Sequence, residues 1–127
     1  MNALGIVVSD MAASVAFYSK LGLTFQMYGD EHAEAALPGG IRVMLDSEGM
    51  ARSIDPGWSR PVGSHVFSLA FQMPSTDAVD ALFGELTAAG HQAVREPWDA
   101  EWGQRYAMLH DPDGNGVDLY CPLRTGE

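Results

Sequence analysis

One order of elements runs through this sequence twice, and that repetition narrows the possible folds more than any other feature. The opening "LGIVVSD" alternates Leu4, Ile6 and Val8 with Gly5, Val7 and Ser9, the period of two expected of a strand with one buried face. Asp10 can cap a helix over "MAASVAFYSKL", where Met11, Val15, Tyr18 and Leu21 recur at helical spacing and Gly22 supplies the stop. Strands are then expected at 23–29, 33–37 and 41–46, parted by Gly29-Asp30 and Pro38-Gly39-Gly40.

The second half repeats this order. "VFSLAFQM" alternates Phe67, Leu69, Phe71 and Met73 with Ser68, Ala70 and Gln72. Ser75 or Thr76 can cap a helix through "DAVDALFGELTAA", with Val79, Leu82, Phe83 and Leu86 as its apolar face and Gly90 as its end. Gly84 weakens that helix by about 1 kcal/mol relative to Ala. Strands near 92–96, 104–110 and 117–121 follow. The expectation is one α+β domain over residues 1–127, made of two β-α-β-β-β modules at about 1–46 and 65–123. They are joined by a loop at 47–64, "SEGMARSIDPGWSRPVGS", which carries Trp58 as either a lid over the core or a ligand contact.

Length and composition agree with a single domain: 127 residues, 46% hydrophobic and 19% charged, describe a globular chain with a real core. No apolar run approaches a membrane span, and "MNALGIVVSD" lacks the basic region and cleavage pattern of a secretory signal. Cys121 is the single cysteine, so neither an internal disulfide nor a zinc ribbon can form, and a cytoplasmic setting is the simplest. It shares strand parity with Val117 and Leu119, as a buried structural thiol would. The formal charge of −10 argues against a nucleic-acid partner. It attracts cations, or it merely aids solubility.

Taken together, "DMAASVAFYSKLGLTF" near the start and "DPDGNGVDLY" near the end of two such modules resemble the vicinal-oxygen-chelate superfamily. Its members include glyoxalase I, extradiol dioxygenases, fosfomycin-resistance enzymes and bleomycin-resistance binding proteins. The resemblance spans essentially the whole chain. It implies a mixed eight-stranded, partly open barrel with helices outside, a concave ligand site, and a homodimer. Strand parity assigns Leu4/Ile6/Val8, Leu69/Phe71/Met73 and Val117/Leu119/Cys121 to the helix side. The opposite sets, Ala3/Gly5/Val7, Ser68/Ala70/Gln72 and Asp118/Tyr120, are smaller or polar and suit a pocket wall.

Asp118 is the residue that most needs an explanation, because Asp is depleted in strands. It can hold a metal, meet a cationic ligand, or face water. By the resemblance, the superfamily's four metal-ligand slots fall on Ala3, Met44, Ser68 and Asp118. Only the last offers a carboxylate, whereas a catalytic metal needs about three protein ligands. His65 has the wrong parity to replace Ser68, His110 lies at a turn, His32 in a loop and His91 after a helix stop. No metal or other cofactor is therefore expected.

A carboxylate in an apolar-walled cavity must still be paired or hydrogen-bonded. Arg42 could do this internally, or a ligand's basic or hydroxyl group could. The segment "EPWDAEWGQRYAML" favours a ligand, with Trp98, Trp102 and Tyr106 in nine residues, Gly103 permitting close approach, and Gln104 and Arg105 as donors. The two tryptophans could instead plug the end of the barrel. The expected ligand-binding set is Met44, Trp58, Ser68, Trp98, Trp102, Gln104, Tyr106, Met108, Asp118 and Tyr120.

The resulting expectation is a metal-free protein, closest in character to the bleomycin-resistance group. It sequesters a planar or aromatic small molecule such as an antibiotic without altering it, and the acidic surface favours a cationic one. The rival readings are a lyase, isomerase or oxygenase with non-standard ligands, and a module that binds another polypeptide.

Overall fold

The computed structural model describes residues 1–124. The chain falls into two compact units, Met1–Gly63 and Ser64–Glu127. The first contains β1 (Ala3–Val8), α1 (Met11–Lys20), β2 (Gln26–Tyr28), β3 (His32–Ala36), β4 (Arg42–Ser47) and α2 (Glu48–Ile54). The second contains β5 (Ser68–Gln72), α3 (Thr76–Ala88), β6 (Ala93–Ala100), β7 (Gln104–His110) and β8 (Gly116–Pro122). Among the described residues the strands form two four-stranded mixed sheets, β1-β4-β3-β2 and β5-β8-β7-β6, and no closed barrel. In each unit the first strand pairs in parallel with the last, and the remaining pairs are antiparallel.

The caps repeat as faithfully as the strands. Asp10 Oδ1 accepts from the Ala13 amide at 3.0 Å, and Ser75 Oγ accepts from the Ala78 amide at 3.0 Å, so Ser75 rather than Thr76 is the cap of α3. Such a cap is worth about 1 kcal/mol. Both helices end in a Schellman motif. Gly22 at φ +96° and Gly90 at φ +98° take the left-handed position. The amides beyond them return to the last turn, Leu23 to Tyr18 O at 3.2 Å and His91 to Leu86 O at 3.1 Å.

In the first unit the core is Ile6, Val8, Ala33, Ala35, Val43 and Leu45 from the sheet against Phe17, Tyr18 and Leu21. In the second it is Ala107, Leu109, Val117 and Leu119 against Val79, Phe83 and Leu86. The alternation predicts these sheet faces, but Leu4, Leu69, Phe71 and Cys121 are half-buried rather than core. The stripe on α1 also differs from expectation. Ser14, Phe17 and Tyr18 are buried, while Met11 and Val15 remain partly exposed. Because "MAASVAF" is apolar on every side, spacing alone cannot orient it, and burial of the larger Phe17 side chain decides.

The expected loop at 47–64 begins with α2 instead. Ser47 Oγ caps it through the Met50 amide at 3.0 Å, and Glu48 pairs with Arg52 one turn on at 3.5 Å. Gly49, Ser53 and Pro56 disguise this short helix, since none favours helix in a sequence window. The segment 23–29 contributes only three strand residues. β6 runs on to Ala100, which puts Trp98 on a strand rather than in a loop.

Three substitutions test this packing by urea unfolding. Ser14 is buried and its hydroxyl has no hydrogen-bond partner among the described residues, so Ser14→Ala should stabilise the protein by about 1 kcal/mol. Open space surrounds the Cβ position of Gly84, so Gly84→Ala should add about 1 kcal/mol, whereas Gly90→Ala, at positive φ, should destabilise.

Candidate functional site

The pairing of β8 with β5 and β7 places Asp118 on the sheet face away from α3. Its cross-strand neighbours are Ala70 and Met108, and Tyr120 lies beside Gln72 and Tyr106. Asp118 is only 6% exposed. Tyr106 Oη donates to its Oδ2 at 2.5 Å, and Ser68 Oγ donates to the same oxygen at 3.3 Å. Oδ1 receives no hydrogen bond from the described residues. Burial, reinforced by the hydrogen bond to Asp118, pushes the Tyr106 phenol far above its ordinary value of 10, so it remains a protonated donor. Both donors are neutral hydroxyls, so neither supplies a countercharge to the Asp118 carboxyl group.

Around this group stands a cluster of rings. Trp98, Trp102 and Tyr106 pack mutually edge to face, with centroids 5.9 Å (Trp98–Trp102), 5.7 Å (Trp98–Tyr106) and 5.4 Å (Trp102–Tyr106) apart. Tyr120 stacks on Tyr106 at 6.2 Å. The hairpin is tight: the Gly103 amide donates to Ala100 O at 3.0 Å with φ +94° at Gly103, which leaves Trp102 at the tip, 55% exposed. Gln104 Oε1 accepts from Trp102 Nε1 at 2.9 Å and holds that ring. Because the three rings fill one another's gaps, a flat guest cannot be sandwiched between them. It would have to lie against their outer side.

Eight of the ten predicted site residues therefore gather in the second unit: Ser68, Trp98, Trp102, Gln104, Tyr106, Met108, Asp118 and Tyr120. Met44 and Trp58 belong to the first unit. Met44 lies on β4 between Gly5 and Glu34, and Trp58 has the guanidinium groups of Arg52 and Arg60 over its ring at 5.3 and 5.5 Å. Two expected donors are engaged elsewhere. Arg42 pairs with Glu34 at 2.8 Å, not with Asp118. Arg105 grips Asp80 through Nε at 3.0 Å and Nη2 at 3.1 Å, and reaches Asp99 at 3.1 Å. Its parity on β7 is opposite to that of Tyr106, which explains its absence from the aromatic face.

The sequence reading missed a second polar cluster, on the first sheet. His32 lies on β3 and not in a loop; its Nδ1 meets Asp46 Oδ1 at 2.6 Å and its Nε2 meets Glu34 Oε2 at 2.8 Å. With Arg42 this makes a chain of alternating charge. Hydrogen bonds to Asp46 and then Glu34 raise the imidazole pKa above 6.5, and the bond to His32 lowers that of Glu34 below 4.5. The signal in the sequence is the pattern His32-x-Glu34 with Asp46 opposite, which emerges only when β3 begins at His32 rather than at 33.

Neither cluster suits a divalent metal. The two carboxylates beside His32 sit at opposite ring nitrogens and do not converge, and no group of three or more His, Cys, Asp or Glu among the described residues does so. The four slots named from the resemblance fall as two matching diagonals, Ala3 with Met44 and Ser68 with Asp118. Their chemistry, a methyl group, a thioether, a hydroxyl and one carboxylate, does not fit a catalytic ion.

The charge chain has a pH signature. A raised His32 pKa contributes stability that is complete below about pH 6.5 and is lost as pH rises through the folded value. The lowered Glu34 pKa contributes stability that is complete above about pH 4.5 and is lost on acidification. Urea unfolding of His32→Gln against the parent should thus show its largest deficit between these limits, shrinking toward pH 8. A deficit independent of pH would contradict the assignment.

Comparison with known proteins agrees with this architecture. The sequence model of the Glyoxalase/Bleomycin resistance protein/Dioxygenase superfamily matches residues 1–119. An uncharacterized protein of Mycolicibacterium smegmatis (strain ATCC 700084 / mc(2)155) is 30% identical over 112 residues, 87% of this chain and 84% of that one. Among solved structures, a glyoxalase/bleomycin resistance protein/dioxygenase family enzyme from Burkholderia phytofirmans PsJN matches with a TM-score of 0.83 at 22% identity, covering 96% of this chain and 98% of that one. A glyoxalase/bleomycin resistance protein/dioxygenase from Nocardioides matches with a TM-score of 0.75 at 25% identity, covering 99% and 85%. With the match extending over nearly its whole length, the chain belongs to the Glyoxalase/Bleomycin resistance protein/Dioxygenase superfamily.

Proposed function

We propose that this protein binds an intact planar, cationic small molecule, such as an antibiotic, and sequesters it without a chemical step. One observation carries the reading: a nearly buried carboxylate, held on one oxygen by two neutral hydroxyls, keeps its second oxygen free of protein donors beside a four-ring aromatic cluster. The rings supply dispersion and cation–π attraction along a flat face, and Asp118 Oδ1 supplies a charged acceptor that fixes the guest's orientation. A formal charge of −10 raises the encounter rate of a cation. Sequestration needs no metal ligands, which accords with the methyl and thioether at two of the four slots.

Calorimetric titration with ethidium, a planar delocalised cation, tests the proposal, with mass spectrometry of the recovered ligand. Binding should be saturable and the ligand unchanged. Asp118→Asn should weaken it about ten- to hundredfold, the range of a hydrogen bond to a charged group. Trp102→Ala, at an exposed ring, should weaken it without unfolding the chain. A stoichiometric divalent ion retained through purification, or a modified product, would overturn the reading in favour of an enzyme.

A further inference from the structure

Five arginines on the two sheets and their connections invite comparison. Arg42 pairs with Glu34, Arg52 and Arg60 with Glu48, and Arg105 with Asp80 and Asp99. Arg95 differs. In a strongly acidic chain it has no ion pair or hydrogen bond among the described residues, and its guanidinium carbon lies 3.6 Å from the centroid of the Trp98 ring. A planar cation is therefore already stacked on one ring of the candidate site.

The backbone shows how it gets there. Residues three apart on a regular strand point to opposite faces, so Arg95 and Trp98 should not meet. β6 is irregular on both sides of Arg95: Ala93 pairs with Leu109, Arg95 with Met108, and Trp98 with Tyr106. Two residues of β6 are thus advanced against one of β7 in the first interval, and three against two in the second. Each extra residue is a bulge, a device that re-aims side chains. The second bulge contains Pro97, which has no amide to lose from the ladder. It turns Arg95 and Trp98 onto the same face.

We infer that Arg95 is a built-in occupant of a subsite for planar delocalised cations on the face of Trp98, and that a guanidinium-like or aromatic cation binds there by displacing it. The subsite selects by shape as well as charge. Guanidinium stacks flat on an indole, whereas a compact ammonium is strongly hydrated and gains less from the ring. The inference rests on the ligand-binding reading of this face, and Arg95 would set its threshold by competing with the guest.

Calorimetry with ethidium in 1 M NaCl, where the Debye length is about 3 Å, separates displacement from a general change in field. Arg95→Ala should bind ethidium about two- to fivefold more tightly than the parent, the range an exposed cation–π contact allows. Lys20→Ala, which removes the same charge from the end of α1, should leave affinity unchanged, and methylammonium, a compact and strongly hydrated cation, should gain nothing in either variant. An unchanged or weaker affinity in Arg95→Ala, or an equal gain in Lys20→Ala, would overturn the inference. Binding by the parent that depends on Asp118 but not on Arg95 defeats this inference alone. Binding only after Arg95 is removed supports it, and instead defeats the proposal that the parent protein sequesters such a ligand.

Discussion

A parallel ladder between the first and last strands of each unit decides the fate of almost every side chain. β4 and β8 are hydrogen-bonded on both edges, and their registers, Ala3 with Arg42 and Ser68 with Gly116, set which residues meet a helix and which lie on the open face. A slip of one position would exchange those faces. Asp118 would then press into the core of α3, and Val117 and Leu119 would face the rings. Burial of Val117 and Leu119 thus indirectly holds the acid where it stands.

The two open faces follow the same topology yet treat charge differently. On the first, Asp46, His32, Glu34 and Arg42 satisfy one another, and little field is left over for a visitor. On the second, the position matching Met44 carries Asp118, whose partners are hydroxyls. Neutral donors lower the cost of burying a carboxylate without cancelling its charge. That distinction, more than the rings themselves, makes the second face the better candidate for a cation.

Features with local causes were legible in the sequence. Asp10 and Ser75 act through amides three residues ahead, and Gly22 and Gly90 through the turn that each one ends, so a short window contains the whole interaction. Alternation on β1 and β8 points to the sheet faces for the same reason. The failures required distant information. Apolar side chains lie on every side of α1, so which side turns inward depends on the sheet beneath it, and the Asp80 partner of Arg105 lies 25 residues away on another element. His32 could be recognised only once Asp46 was known to sit opposite. The site was legible as a set of residue types in one segment, but its geometry was not: Trp98 is on a strand, and the rings close on one another rather than leaving a slot.

The irregular course of β6 has a further consequence for behaviour at high concentration. β6 is an outer strand of its sheet, and a straight outer strand offers a row of amides and carbonyls to which a foreign chain can add. Two bulges and a proline break that row, and a newcomer would find no continuous register to follow. On the first sheet the corresponding strand, β2, is only three residues long. Both sheets therefore close off this border against fibre-like growth, one by distortion and the other by brevity.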